Sequence, residues 1–166
     1  MGRRRRGLSA LYRVPGQNRS QNPRLHRRAG LRAGAMNLKG TVGLVTGGNG
    51  GLGQRICHAL AREGVNIAVM YAKSRDQAEE VAGTLADEHG VEAAAFGCDI
   101  TDQDAVEALI TAVMARFGRL DILVNDAAYN KAIPFNELDN LTIEEWDKIL
   151  AVNLTGPMRL IKPWPR

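Results

Sequence analysis

The sequence is poor in cysteine and contains no long apolar run. Its two cysteines, Cys57 and Cys98, form neither a disulfide framework nor a metal-ligand pattern. We interpret both as small core residues of a protein from a reducing compartment, and we expect a cytoplasmic location. No apolar run approaches the roughly 18 residues that a membrane-spanning helix requires, so no membrane partner is expected. The three histidines, at positions 26, 58 and 89, are scattered along the sequence, and we predict no metal site.

Acidic residues are absent from the first 35 positions, which contain ten arginines and no lysine. Residues 36–166 hold the other 12 of the 22 basic residues and all 18 acidic ones, a balance of −6. An arginine-rich arm can bind nucleic acid or direct a chain to an organelle. We favour a third interpretation, in which residues 1–35 are a disordered basic tail outside the working domain and nucleic acid is not a partner. Prolines and glycines interrupt any helical periodicity there, and Met36 is a natural start for a domain whose first strand comes directly after it.

From residue 41 onward, short apolar runs alternate with segments of helical periodicity. Strands are predicted at 42–46, 65–71, 91–98 and 121–124, each followed by a helix. The predicted core-facing residues are Leu52, Ile56, Ala59 and Leu60 in the first helix, Ala78, Val81, Ala82 and Leu85 in the second, and Val106, Leu109, Ile110, Val113 and Phe117 in the third. Thr142 is predicted to cap the fourth helix in a capping box with Glu145. This alternation predicts an α/β fold with a Rossmann-type, doubly wound parallel sheet over residues 36–166.

Glycine is concentrated between the first predicted strand and the first helix, in "TGGNGGLG" at 46–53. A plain turn needs one or two glycines, whereas this segment has five in eight residues. Glycines let a phosphate approach the backbone, and the free N–H groups and positive dipole of a helix N-terminus attract it. The segment therefore predicts a dinucleotide-binding loop, with cofactor-binding candidates Thr46, Gly47, Asn49, Gly51, Leu52 and Gly53.

The second predicted strand ends in "YAKSRD", at 71–76. The usual fingerprint for NAD has an acidic residue about 20 positions past the glycines, but here no acid precedes Asp76. Tyr71, Lys73 and Ser74, with Arg75 beside them, offer hydroxyl and cationic groups that suit a 2′-phosphate. The sequence thus favours NADP(H), with NAD(H) as the alternative. The competing interpretation is a solvated helix start capped by Ser74.

The stretch from about Met36 to Ile161 resembles the N-terminal part of a classical short-chain dehydrogenase/reductase. The matching motifs follow in the family's order: Thr46, Gly47, Gly51 and Gly53 for Thr-Gly-x-x-x-Gly-x-Gly, Asp99 with Ile100 after the third strand, Asn125 to Ala128 after the fourth, and Asn153 in the fourth helix. The resemblance implies that Asp99, Ile100, Asn125 and Ala127 contact a dinucleotide, Asp99 at its adenine. It also implies a catalytic role for Asn153. Two positions depart from the family's Asn-Asn-Ala-Gly segment, because Asp126 adds a charge and Ala128 narrows the space near the nicotinamide ribose.

The other residues that carry the family's chemistry are missing from the sequence. The family uses a Ser and a Tyr-x-x-x-Lys pair downstream of the helix Asn, where the Tyr exchanges the proton of a carbonyl/alcohol pair and the Lys lowers the Tyr pKa. Here the tyrosines at 12, 71 and 129 are followed four residues on by Gly16, Arg75 and Ile133, and the last serine is Ser74.

The closing "KPWPR" contains two prolines, which are expected to end the fourth helix. We therefore expect a C-terminally truncated chain of about four strands, in which the fourth is an unpaired edge strand of the sheet. We expect no hydride transfer by this chain itself. It would be an incomplete NAD(P)(H)-dependent oxidoreductase, similar in its front half to 3-oxoacyl-carrier-protein reductases and to sugar-alcohol or glucose dehydrogenases. A small carbonyl or alcohol substrate, and the homo-oligomeric state of full-length relatives, would require the complete chain. The alternative is a non-catalytic dinucleotide-binding module or sensor.

Overall fold

The structure is a computed structural model that describes residues 37–164. The prediction of a disordered tail at 1–35 lies outside the described residues. The elements are β1 (Val42–Thr46), α1 (Gly51–Arg62), β2 (Asn66–Tyr71), α2 (Arg75–His89), β3 (Ala93–Gly97), α3 (Gln103–Phe117), β4 (Ile122–Asn125), a 3-10 segment (Phe135–Asn140), α4 (Ile143–Leu150), a π-helical segment (Ala151–Thr155) and α5 (Gly156–Ile161). All four predicted strands are present, and only their ends differ by one or two residues from the prediction.

The strands form one parallel sheet in the order β3-β2-β1-β4. Leu44 of β1 lies between Ala68 of β2 and Leu123 of β4, so β1 is central. The strands that follow β1 in the chain build outward on one side, and the chain then returns to the other side of β1 to form β4. In open parallel sheets, ligands bind at such a switch in strand order, outside the carboxyl ends of the strands.

Two apolar cores lie on the two faces of this sheet. One packs α1 and α2 against Val45, Ile67 and Val69, and the other packs α3 and α5 against Leu44 and Met70. Neighbouring residues along a strand therefore point into different cores, which explains why β1 and most of β2 are apolar without alternation. The prediction of a doubly wound parallel sheet is confirmed.

The predicted core faces of α2 and α3 are confirmed, and that of α1 is confirmed for Ile56 and Leu60 but wrong for Leu52 and Ala59. The residues of α1 that the structure buries are Gly53, Cys57 and Ala61, whereas Leu52 is 64% exposed. Ala59 is exposed as well. A Cβ at Gly53 would clash with the carbonyl oxygen of Gly47 in the glycine loop. This close approach requires glycine at position 53.

Thr142 caps α4 as predicted, since its hydroxyl accepts a hydrogen bond from the Glu145 N–H at 3.2 Å. The Glu145 carboxylate instead accepts a hydrogen bond from the Tyr129 hydroxyl, at 2.6 Å. The helix then continues through the π-helical segment into α5, which ends at Ile161 just before the first proline of "KPWPR". Among the described residues, no helix is long and apolar enough to cross a membrane.

Candidate functional site

Two adjoining cavities lie at the carboxyl ends of the strands. The larger, of about 610 Å³, is bounded by the loops after β1, β2 and β4; its lining is Gly47, Asn49, Gly50, Gly51, Leu52, Met70, Ala72, Lys73, Ser74, Asp126, Ala127 and Ala128. The smaller, of about 330 Å³, extends toward β3 and α4; its lining is Met70, Ala72, Lys73, Asp99, Ile100, Ala127, Ala128, Tyr129, Lys148 and Val152. The five residues common to both make them one groove across the switch point, which we call the strand-end groove. Its size is that of a small-molecule or cofactor site.

The glycine loop forms one wall of the strand-end groove, and its glycines serve different purposes. Gly47 has a positive φ of 67°, and a Cβ there would lie 3.1 Å from the Cα of Ala127. Gly53 allows α1 to approach the loop backbone closely. A Cβ at Gly51 would meet nothing within 4 Å. Packing therefore explains Gly47 and Gly53 but not Gly51, which leaves open space at the start of α1.

The N-terminus of α1 has the properties of an anion site. Its N-cap is Gly50, which supplies no side-chain hydrogen bond, and its first turn contains no acid. The first N–H groups of a helix have no partner within the helix, and they carry the positive end of its dipole. Gly50, Gly51 and Leu52 all line the groove. The open space at Gly51 beside these donors fits the phosphates of a dinucleotide.

Thr46 lies beneath the groove rather than in it. It is 1% exposed, and its hydroxyl accepts hydrogen bonds from the N–H groups of Asp126 and Ala127, both at 3.0 Å. The hydroxyl also donates to the carbonyl oxygen of Val124, at 3.3 Å. Thr46 therefore fixes the segment after β4 against the end of β1, and it shapes the groove by positioning other residues.

Asn49 connects two walls of the groove. Its side-chain amide donates to the carbonyl oxygens of Lys73 and Ser74, at 3.2 and 3.5 Å, and to the Oε1 atom of Gln77, at 3.3 Å. The Gln54 side chain in turn donates to the Asn49 carbonyl oxygen, at 2.8 Å. These hydrogen bonds hold the glycine loop and the loop after β2 together.

The residues predicted to read the ribose do not all reach the groove. Lys73 and Ser74 line it, and both are exposed. Ser74 is the N-cap of α2 with a positive φ of 60°, but its side chain makes no capping hydrogen bond. Tyr71 instead packs with the core on the α1–α2 face of the sheet. The guanidinium of Arg75 is hydrogen-bonded to Glu79, at 2.7 Å.

Asp99 and Ile100 line the smaller cavity. Two hydrogen bonds from Thr101, one from its hydroxyl and one from its N–H, hold the Asp99 carboxylate and lower its pKa. Ile100 is buried, and a Cβ at Gly156 would lie 2.8 Å from its Cδ1 atom. Asp99 is thus a fixed, ionised acceptor at the edge of an apolar cavity.

Only part of the segment after β4 lines the groove. Asp126, Ala127 and Ala128 line the groove, whereas the exposed Asn125 ends β4 and does not. Asp126 therefore places a carboxylate beside the glycine loop. Its charge adds to burial, the larger effect, in raising the pKa of the Cys57 thiol to about 12.

Asn153 lies in the π-helical segment and is bound to the loop after β4. Its side-chain oxygen accepts a hydrogen bond from the Tyr129 N–H and its amide donates to the Tyr129 carbonyl oxygen, both at 2.8 Å. A π-helical turn inside an α-helix is often found at a functional site. Here it presents Asn153 to the backbone of the groove, where it positions Tyr129.

Sequence reasoning missed the side-chain cluster around Tyr129. The Tyr129 hydroxyl donates to Glu145, at 2.6 Å, and this hydrogen bond is the largest cause of a lowered Glu145 pKa. The Lys148 ammonium lies over the Tyr129 ring, 4.1 Å from its centroid, and Lys131 lies 3.5 Å from Glu145. Tyr129 and Lys148 both line the smaller cavity. The position of Tyr129 directly after "NDAA" is the one signal in the sequence that could have indicated it.

Two of the three histidines, far apart in the sequence, lie together in the fold. His58 Nδ1 of α1 is 3.0 Å from His89 Nε2 at the end of α2. They lie outside the strand-end groove, since neither lines it.

Comparison with known proteins identifies the family. Residues 41–164 match the short chain dehydrogenase family. Over 121 residues the chain is 39% identical to sorbose reductase of Schizosaccharomyces pombe, a match that covers 72% of this chain and 46% of that protein. It is 40% identical over 119 residues to D-threitol dehydrogenase of Mycolicibacterium smegmatis, covering 72% and 44%. It is 39% identical over 119 residues to 3-oxoacyl-acyl-carrier-protein reductase of Staphylococcus aureus, covering 72% and 47%.

Solved structures agree with these relatives. NAD+-bound xylitol dehydrogenase has a TM-score of 0.69 and 31% identity, covering 76% of this chain and 47% of that one. A metagenomic short-chain oxidoreductase in complex with NADP has a TM-score of 0.68 and 31% identity, covering 77% and 56%. The chain spans about half the length of the relatives it matches. From the matched residues and the fold, the chain belongs to the short chain dehydrogenase family.

Proposed function

We propose that residues 36–166 are the dinucleotide-binding part of an NADP(H)-dependent oxidoreductase that interconverts a carbonyl and an alcohol. The strand-end groove is the observation that supports this proposal. The N-terminus of α1, the open space at Gly51 and the Asp99 carboxylate all lie in it, at the carboxyl ends of the strands. The compact unit that begins at Leu38 supports the domain boundary. The membership of the short chain dehydrogenase family supports the type of reaction.

In this proposal each wall of the groove holds one part of the cofactor. The first turn of α1 and Gly51 bind the pyrophosphate, and Asp99 and Ile100 bind the adenine. Lys73 and Ser74, at the mouth of the groove, bind the 2′-phosphate of NADP(H), which is the group that distinguishes it from NAD(H). When bound, the nicotinamide supplies the hydride chemistry, and the chain's own residues position it.

We further propose that this chain does not by itself catalyse hydride transfer. Asn153 is the one family catalytic position that the sequence meets, and it is hydrogen-bonded to the Tyr129 backbone. The Tyr129 hydroxyl donates to Glu145. It is followed four residues on by Ile133 rather than by a lysine, and no serine follows Ser74. A tuned phenol of the Tyr-x-x-x-Lys type is therefore missing from these 166 residues.

Binding is tested by titrating the chain into NADPH and following the cofactor's fluorescence. Gly51→Ala is the informative variant, because its Cβ meets no protein atom within 4 Å and so can disturb only a ligand. We expect it to weaken NADPH binding by about tenfold or more, or about 1.4 kcal/mol, at unchanged or slightly raised stability. Gly83→Ala is the matched control, since a Cβ there also meets nothing within 4 Å and Gly83 lies in α2 away from the groove. Equal NADPH affinity in both variants would contradict the proposed phosphate position.

Cofactor preference is tested by comparing NADPH with NADH in Lys73→Gln. Because Lys73 lines the groove and is exposed, we expect the variant to lose about 1 kcal/mol or more of NADPH binding, roughly fivefold, with NADH binding little changed. Lys131→Gln is the control, since it removes an exposed lysine that does not line the groove. Equal losses for both cofactors, or in both variants, would contradict a 2′-phosphate site at Lys73.

The alternative is a non-catalytic dinucleotide-binding module or sensor, which the glycine loop and Asp99 support because neither needs the missing catalytic residues. The two possibilities share the binding step and differ only in the full protein's chemistry. Incubation of the pure chain with NADPH and a panel of small ketones is expected to give no oxidation above a heat-killed control. Turnover by the pure chain would refute our proposal that it lacks hydride transfer.

A further inference from the structure

Away from the strand-end groove, the described part of the chain contains one group of three side chains that could ligate a metal: His58, Glu88 and His89. His58 lies in α1, and Glu88 and His89 are the last two residues of α2. We propose that these three side chains bind one divalent transition-metal ion, such as Zn²⁺, and that the ion joins α1 to α2. This departs from the sequence-based prediction of no metal site.

The distances between the ligand atoms fit such an ion. His58 Nδ1 lies 3.0 Å from His89 Nε2, and the Glu88 Oε2 atom lies 3.5 Å from the first and 3.7 Å from the second. Zinc bonds of about 2.0–2.1 Å in a tetrahedron place neighbouring ligand atoms about 3.3 Å apart. The three atoms thus form one face of a tetrahedron to within a few tenths of an ångström, and no backbone movement is needed.

The orientation of the rings supports the same conclusion. The two imidazole planes cross at 80°, with centroids 5.2 Å apart, so an edge of one ring faces the other and the rings are not stacked. The His58 and His89 side chains are only 27% and 13% exposed, whereas Glu88 is 56% exposed. The imidazoles are therefore held by the protein, and the carboxylate side is open to solvent. Two imidazoles and one carboxylate leave the fourth tetrahedral position for a water molecule.

In the metal-free form of the cluster, the two ring nitrogens contact each other through a hydrogen bond. One nitrogen donates its N–H to the other in that form, so one tautomer is fixed. For both nitrogens to ligate an ion, that proton must move to the far nitrogen of its ring, which leaves both imidazoles neutral. The ion then takes the place of the shared proton.

The surroundings decide which ions fit. Imidazole nitrogen selects zinc, nickel, copper or cobalt over the hard cations magnesium and calcium, which prefer six or more oxygen ligands. Arg55 and Arg62 share a surface depression with His58 and Glu88, and Glu80 lines a second depression beside His58. The arginine charges oppose a cation, so we expect weaker binding than at a closed four-ligand zinc site.

Calorimetric titration of the 166-residue chain with ZnCl₂ tests the proposal, with any histidine purification tag removed. We expect one Zn²⁺ per chain and no binding of Mg²⁺. His58→Ala and His89→Ala should each weaken Zn²⁺ binding by about tenfold to a hundredfold or more, and Glu88→Gln by less. His26→Ala is the matched control, because it removes the third histidine of the chain and should leave the affinity unchanged.

Cobalt identifies the ligands independently. Co²⁺ at this site should show the visible absorption of a tetrahedral nitrogen and oxygen environment, without the intense near-ultraviolet band of a cobalt–thiolate bond.

The proposal is overturned if the wild-type chain binds no Zn²⁺, if the two histidine variants bind as tightly as His26→Ala, or if the thiolate band appears. Should an alanine variant fail to fold, His58→Gln and His89→Gln replace it. Zn²⁺ should raise the unfolding temperature of the wild-type chain but not of these variants. NADPH binding is not involved, so failure here does not affect the proposed function.

Discussion

Removal of the Thr46 hydroxyl should destabilise the fold and weaken cofactor binding together. Valine fills nearly the same space, so Thr46→Val creates no large cavity, but it leaves the N–H groups of Asp126 and Ala127 without their acceptor. A buried donor without a partner costs about 1–3 kcal/mol. Since both donors are only half-buried, we take about 1–1.5 kcal/mol for each donor and expect a loss of about 2–3 kcal/mol for the two together. That is a large fraction of the total of about 5–15 kcal/mol for a domain.

Urea unfolding followed by circular dichroism measures this loss. At about 2–4 °C per kcal/mol for a chain of this size, the unfolding temperature should fall by roughly 4–12 °C. The slope of the free energy against urea should be unchanged, because the same surface is exposed on unfolding. NADPH affinity should fall too, since the released segment lines the strand-end groove. Thr46→Ser keeps the hydroxyl and is the control, with about 1 kcal/mol or less lost with the methyl group. A Thr46→Val chain within about 0.5 kcal/mol of wild type, the size of effect expected at neutral sites, would refute this account of Thr46.

Three further predictions concern stability and reactivity. Gly53→Ala places a Cβ against the Gly47 carbonyl oxygen, so the loop must shift; we expect a loss of about 2–4 kcal/mol in urea unfolding, and an unchanged midpoint would contradict this close packing. The hydrogen bonds from Arg119 lower the pKa of Asp121 below its ordinary value of 3.8, so its stabilising effect is complete above that value and is lost as the pH falls through the lower folded pKa. Urea midpoints between about pH 6 and pH 3 should therefore decline less in Asp121→Asn than in wild type, and parallel curves would contradict this. Burial raises the pKa of Cys57 to about 12, so a thiol reagent at about pH 8 should label it only as fast as the protein unfolds, and immediate labelling in the Cys98→Ser background would show that the thiol is accessible.

The order of strands and helices could be predicted because each depends on local patterns that the fold does not override. Continuous apolar runs identified the strands buried on both faces, and Gly90 ends α2 in the left-handed conformation that favours glycine. The face of α1 could be predicted only in part. Counting large apolar residues found Ile56 and Leu60 but missed Gly53, whose backbone lies too close to the glycine loop for any side chain. The spacing of Gly53, Cys57 and Ala61, four residues apart, was the correct signal.

The residues of the groove could be predicted where a motif lies on one segment of the chain. Contacts between separate segments could not be predicted. The glycine loop was identified from its own residues, and Asp99 and Asn153 from short segments that resemble the family's motifs. The cluster of Tyr129 and Glu145 joins a loop to a helix 16 residues away, and the contact of His58 with His89 spans 31 residues. Nothing in either local sequence specifies the partner, because the contact is set by how the elements pack on the sheet.

The hydrogen bonds that build the strand-end groove join the protein's own loops and helices. Thr46 fixes the segment after β4, Asn49 joins the loops after β1 and β2, and Asn153 holds the Tyr129 backbone. The residues proposed to bind the dinucleotide lie on these joined segments, so we expect the chain to bind NADPH without the Ser and Tyr-x-x-x-Lys residues. NADPH binding therefore cannot separate an enzyme of this family from a binding module. Hydride transfer can, because it needs a proton donor near the nicotinamide, and the Tyr129 hydroxyl already donates its hydrogen bond to Glu145. Glu145→Gln weakens that acceptor, so the absence of turnover in both Glu145→Gln and the wild-type chain would exclude Tyr129 as a hidden proton donor.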